Sequence, residues 1–113
     1  MRNIMVTHRA RAAPESDPFR AMGDATRRKI LLSLLDGPAP VYTIAEQFHV
    51  TRPAISRHLR VLKDAGLVRQ EKSGREIRYH LDPDAIAEVR RWLDAFWVKG
   101  LAKLKKSVEG KLR

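Results

Sequence analysis

The spacing of apolar positions changes along this chain, and each spacing predicts a different element. Ile30, Leu31, Leu34 and Leu35 form a helical stripe in a segment opened by Asp24 or Ala25 and closed at Asp36 by Gly37-Pro38-Ala39-Pro40. Ahead of it, Asp17 or Ser16 as cap, Pro18 at the start and Gly23 as stop predict a short first helix. Ile44, Ala45 and Phe48 predict a two-turn helix from Val41 to Phe48, and His49-Val50-Thr51 is a tight turn. Ile55, Leu59 and Leu62 then recur at i, i+4 and i+7. Thr51 can accept a bond from an orphan first-turn amide, Pro53 sits where a missing N–H costs little, and Gly66 suits a left-handed stop.

Beyond Gly66 the period shortens. Ile77, Tyr79 and Leu81 alternate with Arg78 and His80, which predicts a strand with one buried face. Leu67 to Lys72 is its partner, and Ser73-Gly74-Arg75-Glu76 is the tip of the hairpin. Asp82-Pro83-Asp84 then caps a last helix running to about Val108. Ile86, Val89, Leu93, Phe96, Trp97, Leu101, Leu104 and Val108 give it a wide apolar stripe rather than a strict coiled-coil seam. Gly100 lies inside that stripe, where it permits a kink or a close helix approach.

This order is mainly α with a small β-hairpin: a winged helix-turn-helix followed by a long C-terminal dimerisation helix. Residues 17–108 form the domain, with the dimerisation helix at about 83–108. Residues 1–16 are expected to be a flexible basic arm, and 109–113 a frayed basic tail. The apolar stripe exceeds what so small a domain can cover alone. Phe19, Met22, Val89, Trp92, Leu93, Phe96, Trp97, Leu101 and Leu104 are therefore the candidate dimer interface.

The polar positions point to a partner. At about 100° per residue, Arg57 and Arg60 point away from the dry face of the helix after the turn, with Ser56 beside them. Arginine can hold guanine O6 and N7 in a bidentate way, and serine can bond to several bases or to phosphate. Lys+Arg total 23 against 13 Asp+Glu, a net charge of +10, which favours a polyanionic partner such as nucleic acid or an acidic membrane surface. The absence of cysteine excludes disulfides, thiolate metal sites and thiol switches. No apolar run reaches membrane-spanning length and the first residues lack a secretory core, so a cytoplasmic location is expected. Ser56 and His58 lack a nucleophile elbow or an orienting acid. With no phosphate loop, metal cluster or paired-carboxylate site either, no catalytic residue, resident metal or cofactor is expected.

Four segments carry a resemblance. They are Asp24-Ala25-Thr26-Arg27-Arg28-Lys29-Ile30-Leu31, the stretch from Thr51 to Leu59, Ala65-Gly66-Leu67-Val68, and Gly74-Arg75 through Tyr79-His80-Leu81. In this order they resemble the ArsR-type (ArsR/SmtB) winged-helix transcriptional regulators over residues 17 to 82. The resemblance implies a homodimeric repressor that binds a short inverted repeat and packs its first and last helices across the dimer axis. It aligns Arg52, Ser56 and Arg57 with groove-facing positions, beside Pro53 at the helix start. Arg60 and the wing residues Lys72 and Arg75 complete the candidate DNA surface. The family's effector sites do not carry over. Its thiolate positions fall near Pro40, Tyr42 and Thr43, and from Leu81 onward there is no histidine. The chain is therefore similar to the metal-independent branch, with no small-molecule effector named by the sequence.

Other readings stand beside this one. Winged helices also serve as protein-interaction modules, and non-specific nucleoid packaging fits the charge. The wing charges could serve only to block edge-to-edge pairing. Trp92, Phe96 and Trp97 could line a ligand pocket as well as an interface. Arg27, Arg28 and Lys29 form a further basic cluster that could merely balance neighbouring acids, and it stays outside the candidate site.

Overall fold

A computed structural model describes residues 17–111. Helix α1 spans Pro18–Ala21, with Asp17 accepting a bond from the Phe19 amide at its start. Helix α2 spans Ala25–Ser33 and is capped by Asp24, whose carboxylate accepts from the Arg27 amide. Its last turn tightens into a 3-10 turn at Leu34–Asp36, released by Gly37 at φ 128°. Ile30, Leu31 and Leu34 are buried as expected, but Leu35 is 69% exposed. The tightening rotates Leu35 off the stripe.

Strand β1, Ala39–Pro40, lies where the sequence suggested only a break. It pairs antiparallel with β3 through Ala39–Tyr79 and Pro40–Arg78, making the sheet three-stranded in the order β1-β3-β2. A proline is tolerated there because β1 is an edge strand. Helix α3 follows at Val41–Ala45, shorter than the predicted span to Phe48. The Gln47 and Phe48 amides bond to the Ile44 and Ala45 carbonyls, so the last residues form tight i→i+3 turns instead.

Helix α4, Arg52–Asp64, is the element best specified by local sequence. Thr51 Oγ1 accepts from the Ala54 amide at 3.2 Å, and Ile55, Leu59 and Leu62 are fully buried. At its end, the Leu67 amide bonds to the Leu62 carbonyl and the Gly66 amide to that of Lys63. This Schellman closure requires the left-handed φ of 79° at Gly66. It also returns Leu67 to the core beside Leu62.

Strands β2 (Val68–Ser73) and β3 (Glu76–Leu81) form the wing, with Ser73 opposite Glu76. Gly74, at φ 64°, takes the first of the tip positions, and Arg75 follows without a positive φ, the pattern of a type II′ turn. Val68, Gln70, Lys72, Ile77, Tyr79 and Leu81 share one face of the hairpin. Tyr79 and Leu81 pack against the core, but Ile77 is 50% exposed because the hairpin projects past the layer beneath it.

Helix α5 spans Pro83–Ala95 and is capped by Asp82. A π-helical turn at Phe96–Gly100 follows, then helix α6, Leu101–Lys111. The kink permitted by Gly100 is thus a widened turn, and the helical path continues beyond Val108. The N-terminal arm lies outside the described residues. No helix among the described residues is long and apolar enough to cross a membrane.

Candidate nucleic-acid interface

The tight turn after α3 places α4 with its apolar side down and its first turns outward. Arg52, Pro53, Ser56, Arg57 and Arg60 are all exposed, opposite the fully buried Ile55, Leu59 and Leu62. The polar face is therefore not needed for the core. Arg57 and Arg60 make no ion pair or side-chain hydrogen bond among the described residues. Arg52 differs: its guanidinium lies over the Tyr42 ring, 5.7 Å from the centroid.

His58 does not join this face. It is half-buried against α2, with Nδ1 3.2 Å from Arg27 Nη1 and 4.0 Å from Asp24 Oδ2. Guanidinium can only donate, so Nδ1 is the acceptor and the proton of the neutral ring sits on Nε2. Arg27 also donates through Nε to the Ala21 carbonyl at 2.6 Å, and Arg28 donates to the Met22 carbonyl at 2.7 Å. These arginines satisfy carbonyls at the end of α1. The Arg27 amide bonded to Asp24, aided by the charge of Arg27, holds that carboxyl below its ordinary value of 3.8.

The wing sorts its charges in the same way. Arg69 is bound to Asp82 at 2.6 Å and Arg78 to Glu76 at 3.4 Å. Lys72 and Arg75 are exposed at the projecting end of the hairpin, with no ion pair among the described residues. The Tyr42 hydroxyl donates to Glu76 Oε2, bridging the helix-turn-helix and the wing. This contact holds the Glu76 carboxyl below the usual range and raises the Tyr42 phenol above 10.0. Sequence reasoning missed the role of Tyr42. Its only local signal is an exposed aromatic residue on a short helix whose core position is filled by Ile44.

The candidate association residues form a second surface. Phe19 meets Trp92 edge-on at 5.7 Å, Trp92 stacks on Phe96 at 5.6 Å, and Phe96 meets Trp97 edge-on at 6.2 Å. Trp92, Leu93, Phe96, Trp97 and Leu104 remain exposed, whereas Val89 and Leu101 are half-buried. Met22 lines an apolar cleft of about 300 Å³ with Leu31, Leu32, Leu35, Leu81 and Ile86. Among the described residues, no group of three or more His, Asp or Glu side chains is arranged to hold a metal ion.

Residues 24–70 match the family described as bacterial regulatory protein, arsR family. The chain is 43% identical over 83 residues to the HTH-type transcriptional regulator Rv2034 of Mycobacterium tuberculosis, covering 74% of this chain and 78% of that protein. It is 38% identical over 82 residues to the transcriptional repressor SdpR of Bacillus subtilis, covering 73% and 91%. Among solved structures, the crystal structure of a possible transcriptional regulator for arsenical resistance superposes with a TM-score of 0.69 at 40% identity, covering 80% of this chain and 95% of that one.

Proposed function

The chain belongs to the ArsR family of bacterial regulatory proteins, and on that premise we propose that it is a cytoplasmic homodimeric repressor reading an inverted repeat in duplex DNA, without sensing a metal. One observation carries the reading. The face of α4 opposite Ile55, Leu59 and Leu62 presents Arg52, Ser56, Arg57 and Arg60 to solvent. These side chains suit major-groove recognition: arginine for guanine edges and serine for bases or phosphate.

Lys72 and Arg75 on the wing supply phosphate or minor-groove contacts, which position the protein without specifying sequence. Twofold association through the Phe19, Trp92, Phe96 and Trp97 surface would set two reading helices about one helical turn apart, roughly 34 Å. The metal-independent reading is supported by the lack of cysteine and by the absence of histidine beyond His80. Analytical ultracentrifugation on duplexes selected from random DNA tests the assembly. Two protomers per duplex are expected, and a single protomer bound at full affinity contradicts it.

A further inference from the structure

We infer that Tyr42 is a positioning residue that holds the reading helix and the wing in one DNA-binding geometry, an inference that rests on the DNA reading above. Tyr42 is 43% exposed, so the core does not account for it. Its two ends serve two different elements. The ring lies under the guanidinium of Arg52, the first residue of α4, at a distance typical of cation–π attraction. The hydroxyl donates to Glu76, the first residue of β3 after the wing tip.

The backbone reinforces this bridge. Helix α3 follows β1 directly, and Pro40 pairs with Arg78 in β3. The wing is thus anchored to the segment carrying Tyr42 once through the ladder and once through the phenol. The Glu76 carboxylate has its other oxygen 3.4 Å from Arg78 Nε. An acidic side chain on a basic surface is thereby engaged by its neighbours within the protein.

Arginine has many rotamers, and fixing one in advance removes ordering cost at the moment of binding. The ring of Tyr42 limits where the Arg52 guanidinium sits, and the hydroxyl limits how far the wing swings from α4. Ring and hydroxyl are separable by substitution, so two different signatures are expected. Tyr42→Phe keeps the surface under Arg52 and releases the wing. Tyr42→Leu releases both. Glu76→Gln keeps an acceptor for the phenol and serves as the conservative rescue.

The probe is a duplex selected by the wild-type chain from random DNA, titrated at several salt concentrations. For Tyr42→Phe we expect a loss of about three- to tenfold in affinity. Its log–log salt slope should fall in magnitude by roughly 1–2 per wing, with base preference unchanged. Tyr42→Leu should also flatten preference at one base position per half-site, and Glu76→Gln should stay near wild type. Urea unfolding of each variant separates these effects from stability. Wild-type slope and base preference in both Tyr42 variants would overturn the inference alone, as would a loss that merely tracks unfolding. A wild-type chain that selects no sequence would overturn the DNA reading and the inference with it.

Discussion

Arg69 Nε lies 2.6 Å from Asp82 Oδ2, and the other oxygen of the same carboxylate accepts the Asp84 amide that opens α5. One nearly buried carboxylate thus joins the wing strand β2 to the start of the long last helix. The partnership holds the Arg69 guanidinium even more firmly protonated than usual. Replacing Asp82 by Ala removes the cap, which costs about 1 kcal/mol, and also leaves Arg69 without this partner. We expect a lower urea midpoint for Asp82→Ala and a smaller change for Arg69→Met, which spares the cap. Equal midpoints for the two variants would show that the cap contributes nothing.

Arg57 tests the reading face. It is exposed on α4 and carries no other assignment in the fold. Arg57→Ala should weaken a selected duplex by roughly 1–3 kcal/mol and flatten discrimination at one base position per half-site. A uniform loss across all sequences would make Arg57 a phosphate contact instead.

Much of this face was legible because the signals are local. The i, i+4, i+7 repeat of Ile55, Leu59 and Leu62, the Thr51 cap and the Gly66 stop all fall within one helix and its ends. The wing was legible as alternation, but its reach was not. Ile77 obeys the period and still stands exposed, because a period gives the face of a strand and not how far the layer beneath extends. Strand β1 left no periodic signal at all: Ala39-Pro40 is too short, and proline argues against a strand. The Tyr42–Glu76 and Arg27–His58 bonds join residues far apart in sequence, so nothing local announces either pair.

Acid should weaken the fold through Asp24. Its folded carboxyl titrates below the ordinary 3.8 because the Arg27 amide and nearby positive charge favour the ionised form. A depressed folded pKa contributes stability above the unfolded pKa and loses it as pH falls through the folded value. Asp24→Asn should therefore lower the urea midpoint near neutral pH, with the gap to wild type closing below about pH 4. A gap independent of pH would place the whole effect in the neutral hydrogen bond.

The aromatic surface of the last helix should govern association. Phe96 is 50% and Trp97 58% exposed in the single chain and neither belongs to the buried core, so replacing both with Asp spares that core. The Phe96→Asp/Trp97→Asp variant should stay folded by circular dichroism but sediment as a monomer at micromolar concentration. It should also lose most specific affinity, since its half-sites are no longer tethered. An unchanged dimer would move the interface elsewhere.

Zinc, cadmium or arsenite at micromolar levels should leave binding to a selected duplex unchanged, given four scattered histidines and no cysteine. Stoichiometric metal binding coupled to release from DNA would contradict the metal-independent reading.

Exposed side chains of α4 are proposed to read sequence in duplex DNA twice, once from each protomer. Selection of bound duplexes from a random library by the wild-type chain, followed by sequencing, is the decisive experiment. Enrichment of an inverted repeat is expected, with half-site centres about one helical turn apart, roughly 10 base pairs. Enrichment of no sequence, or of a single unpaired half-site, would contradict it.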